Sequence, residues 1–193
     1  MEKTRLEAFS DGVLAIIITI MILELKVPHS SDWEVLREMV PQFMGYILSF
    51  IFIGIYWVNH HHLLQIVKHV NSGIMWANLN LLFWLSLVPI ATGWMGENHF
   101  ATNTVVAYAV LLLLCGIAYT ILQSRICRTH QFGEALRIAM ERISRKGYIS
   151  TALYFIAIPL AYVDTRISCG LFVTVSVMWL IPERSIERAL DKS

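Results

Sequence analysis

The chain has 193 residues and a formal net charge of +1; 56% of its residues are apolar, 15% are charged, and its mean hydropathy is +0.60. A soluble domain carries about 25% charged residues, so the composition excludes an ordinary soluble fold and points to an integral membrane protein. The near-balanced charge gives no bulk argument for a nucleic-acid partner.

At the N-terminus, Arg5-Leu-Glu-Ala-Phe9-Ser10-Asp11 leads into an uncharged stretch from Gly12 to Leu23, closed by Glu24. Twelve helical residues cover about 18 Å, against a hydrocarbon core of about 30 Å, so Asp11 or Glu24 must sit within the membrane or at its edge. Ionisable groups at that depth face a bundle interior or a water-filled path, which places helix 1 (about 4–26) centrally, as a candidate lining of a conduit. A cleavable signal peptide is not expected here, because acidic residues precede the apolar run and no small-residue cleavage site follows it.

Further charge-free windows run Met39 to Val67, His69 to Gly96, Asn98 to Ser124, Gly147 to Val163 and Ile167 to Pro182. They predict helix 2 over 36–61, helix 3 over 73–95, helix 4 over 102–126, helix 5 over 146–163 and helix 6 over 166–182. The expected architecture is a single all-α membrane domain over 1–193 with six transmembrane helices. Ser30-Ser31-Asp32 reads as a helix start in the first loop, and Pro41 suits the opening turn of helix 2. Between helices 4 and 5, Glu134, Arg137, Glu141, Arg142 and Arg145 recur at helical spacing, predicting a solvated helical extension of one of them. Val163 to Arg166 reads as a tight turn joining helices 5 and 6.

Six spans place both termini on one side. That side carries Lys3, Arg5, Lys68, Arg125, Arg128, Arg137, Arg142, Arg145, Lys146, Arg184, Arg188 and Lys192, whereas the other carries only Lys26, Arg37 and Arg166. The bias predicts cytoplasmic termini in a multi-pass protein of the cell membrane, with the basic residues meeting lipid headgroups. Cys115, Cys127 and Cys169 show neither paired nor metal spacing. No phosphate loop, nucleophile elbow, metalloprotease signature or catalytic carboxylate pair occurs, so no enzyme and no cofactor is expected.

On a helical wheel, Phe9, Gly12, Ile20 and Leu23 fall within about 40° of Ile16, Thr19 lies about 60° to one side, and Asp11 lies about 140° away. If helix 1 lines an axis, Ile16, Ile20 and Leu23 ring it with Thr19 beside them, and Asp11 points back into its own subunit. Such a ring cannot coordinate an ion, but it sets a minimum diameter and gates by dewetting. Equally, three aliphatics at this spacing are ordinary packing. Asn59-His60-His61-His62 does not read as a metal site, because adjacent helical residues diverge by about 100°. One histidine is expected in the network around helix 1 and the others at headgroup level. Asp11 should meet a cationic or hydrogen-bonding partner, such as Arg5 of a neighbouring element or an imidazole or indole from helix 2 or 3.

The segment Arg5-x-x-x-Phe9-Ser10-Asp11 entering the first of six helices resembles the prokaryotic transmembrane protein 175 family, relatives of the endosomal and lysosomal potassium channel. Tyr56-Trp57-Val58-Asn59-His60-His61 carries the resemblance more weakly, and the layout extends it to the whole chain. The resemblance implies a homotetramer that passes K⁺ passively through a pore lined by helix 1, without a Thr-Val-Gly-Tyr-Gly filter, which this sequence also lacks. It implies a hydrophobic constriction at Ile16, Ile20 and Leu23, with the Thr19 hydroxyl beside it, and a holding role for Arg5, Phe9, Ser10 and Asp11. The family's second constriction residue is Leu where this chain has Ile20. The reading from a different class is a proton- or sodium-coupled transporter using Asp11 and a histidine as relay; a membrane-embedded assembly factor is a third.

Overall fold

The computed structural model describes residues 2–28, 31–130 and 132–180. Eight α-helical segments account for nearly all of them: α1 Lys3–Leu23, α2 Trp33–Glu38, α3 Val40–Gln65, α4 Ser72–Ser86, α5 Val88–Glu97, α6 Thr102–Thr129, α7 Glu134–Leu160 and α8 Thr165–Leu180. The expected all-helical fold is therefore found. Four stretches are long and apolar enough to cross a membrane: α1, α3, the α4–α5 pair taken as Ser72–Glu97, and α6.

α1 has 21 residues, about 31 Å of helix, and buries Leu6, Ser10, Leu14, Ile17 and Met21, a stripe at four- and three-residue spacing. It packs against α3, α4 and α5. Pro41 sits in the first turn of α3, where its missing N–H breaks no helical bond. The stretch expected as helix 3 is interrupted at Leu87, because Pro89 has no N–H to give the Leu85 carbonyl; Leu87 N–H bonds Trp84 O instead, at 3.2 Å.

The charged segment expected as an extension belongs to helix 5: α7 begins at Glu134 rather than near residue 146. Arg137 binds Glu134 at 2.7 Å and Glu141 at 3.0 Å, pairings that support the exposed first turns. α6 and α7 run antiparallel, with Gln123 Nε2 donating to Met140 O and to Ser144 Oγ. Residues 161–164 turn the chain into α8, where Asp164 Oδ1 accepts from the Arg166 N–H at 2.8 Å, the hairpin that the short spacing predicts.

The second half packs around Phe52, Tyr108, Tyr154 and Phe172. Inside it, Tyr108 OH, Ser49 Oγ and Thr92 Oγ1 form a chain with contacts of 2.7 and 2.6 Å, ending where Thr92 donates to Val88 O at 2.7 Å. Each hydroxyl can donate once and accept once, so α3, α5 and α6 share a satisfied polar thread within an apolar core.

α5 and α3 pack tightly at Gly96, where an added Cβ would lie 2.8 Å from Gln42 Cα, a backbone atom that cannot move alone. Gly96→Ala should destabilise the folded protein by about 1–3 kcal/mol, measured as a lower unfolding midpoint in detergent.

Candidate functional site

Ser10 and Asp11 are neighbours in sequence and point about 100° apart, so each anchors a different side of α1. Ser10 is fully buried. Its Oγ donates to Leu6 O at 2.8 Å and accepts from Asn78 Nδ2 at 2.9 Å. Asn78 Oδ1 in turn lies 2.6 Å from His60 Nε2, and His60 is only 2% exposed. The run His60 to Asn78 to Ser10 to Leu6 O is directional and ties α3, α4 and α1 together at one level.

Asp11 is exposed, yet its Oδ1 accepts from Trp57 Nε1 of α3 at 3.0 Å. Trp57 stacks on His61, which is exposed and meets Gln65. An indole thus serves as the partner that Asp11 needs. The Asp11 hydrogen bond runs back to α3 of the same chain, while its side chain stays exposed. Arg5 is exposed and makes no ion pair among the described residues.

With one flank of α1 fixed this way, its apolar remainder faces outward. Ile16 is 60% exposed, Ile20 42% and Leu23 75%; Phe9, Gly12 and Thr19 are exposed as well. Among the described residues nothing covers this stripe, in contrast to the buried Leu14, Ile17 and Met21 on the other flank. Thr19 Oγ1 donates to Ala15 O at 2.9 Å, leaving its lone pairs available on the outward side. Of the two histidines expected in the signature network, His60 meets Asn78 and His61 stacks on the Trp57 indole that binds Asp11.

Beyond α1, Lys26 Nζ binds Glu97 Oε1 at 2.7 Å, tying the following segment to the end of α5. The hydrogen bond to Glu97 and its charge hold the Lys26 ammonium above the usual lysine range. Glu24 remains exposed beside this pair.

Asn78 is the residue that sequence reasoning missed. Its signal is present: an amide in the apolar run Trp76-Ala77-Asn78-Leu79 is costly in a membrane helix unless it bonds across helices. Periodicity alone does not separate Asn78 from Asn80. Asn78→Leu should leave His60 and Ser10 without their shared partner and destabilise the fold by about 1–3 kcal/mol, read as a lower melting midpoint; an unchanged midpoint would remove the network from its holding role.

Comparison with known proteins places this geometry. A family model described as endosomal/lysosomal potassium channel TMEM175 matches residues 5–89. A protein of Chryseobacterium sp. (strain P1-3) named Potassium channel HX13_20290 is 52% identical over 193 residues, 100% of both chains. A Gallus gallus protein named endosomal/lysosomal proton channel TMEM175 is 35% identical over 103 residues, 47% of this chain and 21% of that protein. The crystal structure of a lysosomal potassium-selective channel TMEM175 homolog from Chamaesiphon minutus matches with a TM-score of 0.83 at 27% identity, covering 95% of this chain and 98% of that one. With channel relatives and several apolar helices, this is a multi-pass membrane protein of a non-enzymatic family. Identity along its whole length to a bacterial relative, and the match across α1 to α4, make the chain a member of the TMEM175 family.

Proposed function

We propose that the protein is a potassium channel: one six-helix domain per subunit, four subunits around a common axis, and α1 of each lining the pore. The second half of α7, together with α8, supplies the fifth and sixth crossings. Both termini lie on the cytoplasmic side of the cell membrane, in line with the distribution of Lys and Arg. The observation that carries the reading is the outward stripe of α1, an apolar face left bare beside a helix locked to its own subunit. Four copies around an axis would bury that face against itself. The whole-length relative named as a potassium channel agrees with this assignment.

In this arrangement the narrow part of the pore is ringed by Ile16, Ile20 and Leu23. Aliphatic rings offer no ligand to replace water around the ion, so passage costs dehydration, and the more weakly hydrated K⁺ crosses more easily than Na⁺. Thr19, one turn from Ile16 and Leu23, offers its hydroxyl oxygen to a partly dehydrated ion. Exposed Glu24 raises the cation concentration at the outer mouth. Arg5, which makes no ion pair among the described residues, would meet the neighbouring subunit or lipid headgroups. Flux is passive and needs no cofactor.

A coupled transporter with Asp11 and a histidine as relay has less support. Asp11 is bonded to Trp57 and His60 to Asn78, so the two titratable groups share no hydrogen bond.

Purified protein in liposomes, with a K⁺ gradient and no other driving force, should pass K⁺ faster than Na⁺. Leu23→Ala and Ile20→Ala should widen the ring, raise Na⁺ flux and lower the K⁺/Na⁺ permeability ratio several-fold. Unchanged ratios in both variants would take these residues out of the constriction. Flux appearing only with a proton or Na⁺ gradient would replace the channel with a transporter.

A further inference from the structure

On the face that carries the N-terminus, the end of α6 clasps the turn between α3 and α4. The clasp is the ring of His130. Its Nε2 lies 3.1 Å from the Lys68 backbone N–H and 3.3 Å from that of His69, and both N–H groups donate to it. Its Nδ1 lies 3.2 Å from Ile126 O, an atom that can only accept. Phe132 stacks on the ring at 6.1 Å with planes 13° apart, fixing its orientation. The same turn is held a second time by Asn71 Nδ2, which donates to Thr129 Oγ1 at 3.3 Å.

All three contacts of the imidazole agree on one form: neutral, with the proton on Nδ1 and a bare Nε2. Protonation at Nε2 would aim an N–H at two other N–H groups, losing both bonds and bringing like dipoles together. We propose that His130 is a pH-sensitive latch, closed while the imidazole is neutral and opened when the N-terminal face is acidified.

The ionisable groups on the surrounding elements do not offer the protonated ring a substitute bond. Lys68 and His69 come from the turn itself, Glu2 and Lys3 from the start of α1, where they line one pocket with Lys68 and His69, Arg125 and Arg128 from the end of α6, and Glu134 and Arg137 from the start of α7. Glu134 is engaged with Arg137, and the Glu7 carboxylate lies 3.7 Å from Lys3. Among the described residues no carboxylate lies within ion-pair distance of His130.

The last residue of α3, just before this turn, touches the proposed pore helix. Lys3 Nζ donates to Gln65 O at 2.9 Å, three residues before Lys68, so the beginning of α1 rests on the segment that the latch holds. Opening the latch frees the support under α1. The effect on conduction rests on the channel reading, whereas the latch itself does not.

The test is therefore made first without reference to flux. Hydrogen exchange of the Lys68 and His69 amides, corrected for the chemical exchange rate at each pH, is followed by mass spectrometry from about pH 7.5 to about pH 5.5. Wild type should lose protection by about tenfold or more on acidification, and His130→Gln, whose amide oxygen accepts but does not titrate, should stay flat. His69→Gln should respond like wild type, which separates the latch from the titratable residue beside it. Constant protection in wild type, or the same loss in wild type and His130→Gln, would overturn the latch. If His130→Gln does not fold, the wild-type and His69→Gln profiles still decide. Liposome K⁺ flux at the same two pH values then reads the coupling to α1. A flux independent of pH, alongside a working latch, would remove the coupling alone.

Discussion

A serine, an asparagine and a histidine meet in a place where an unpaired polar group would be severely penalised, and their mutual hydrogen bonds set the rotation of α1. The bonds are directional and join three helices. Turning α1 by one residue would move Ser10 away from Asn78 and carry Asp11 off the Trp57 indole. Everything on the far side of the helix follows from that constraint. Since Ser10 must point inward, Ile16, Ile20 and Leu23 must point out.

This explains why a helix can keep an apolar face that it does not bury. Within a membrane, apolar side chains gain little by packing on one another rather than on lipid, so hydrophobicity alone does not orient a helix. Polar side chains do, because lipid offers them no partner. The hydrogen bonds of Ser10 and Asp11 therefore hold the orientation, and the aliphatic residues beyond them are left as an exposed surface.

Much of this was legible in the chain itself. The short uncharged run between Asp11 and Glu24 signals a helix that lipid cannot surround, and the wheel separates Ile16, Ile20 and Leu23 from Asp11. The need of Asp11 for a cationic or hydrogen-bonding partner follows from the cost of a bare carboxylate at that depth, and of the partners open to it, an arginine, an imidazole or an indole, the Trp57 indole is the one that meets it. Other features were less legible for identifiable reasons. Asn78 and Asn80 look alike in an apolar run, and only the packing of α4 on α1 distinguishes them. The helical character of the start of α7 is legible in its charge spacing and in the stripe Leu136, Ala139, Met140 and Ile143, but the spacing leaves open which neighbouring helix it extends, and only the structure joins it to helix 5. The break at Leu87 is implied by Pro89, although hydropathy across Ser72–Glu97 reads as one span. The role of His130 could not be found by pattern at all, since it depends on two backbone N–H groups about sixty positions earlier.

The central claim is that the outward stripe of α1 faces an aqueous path for ions. Single cysteines placed along α1 in a background lacking Cys115, Cys127 and Cys169, and treated in liposomes with a small water-borne thiol reagent, test it directly. Cysteine at Ile16, Thr19, Ile20 or Leu23 should react and block K⁺ flux, whereas cysteine at Leu14, Ile17 or Met21 should neither react nor alter it. Reaction without block on the outward positions, or block confined to the inward ones, would contradict a pore built on this face.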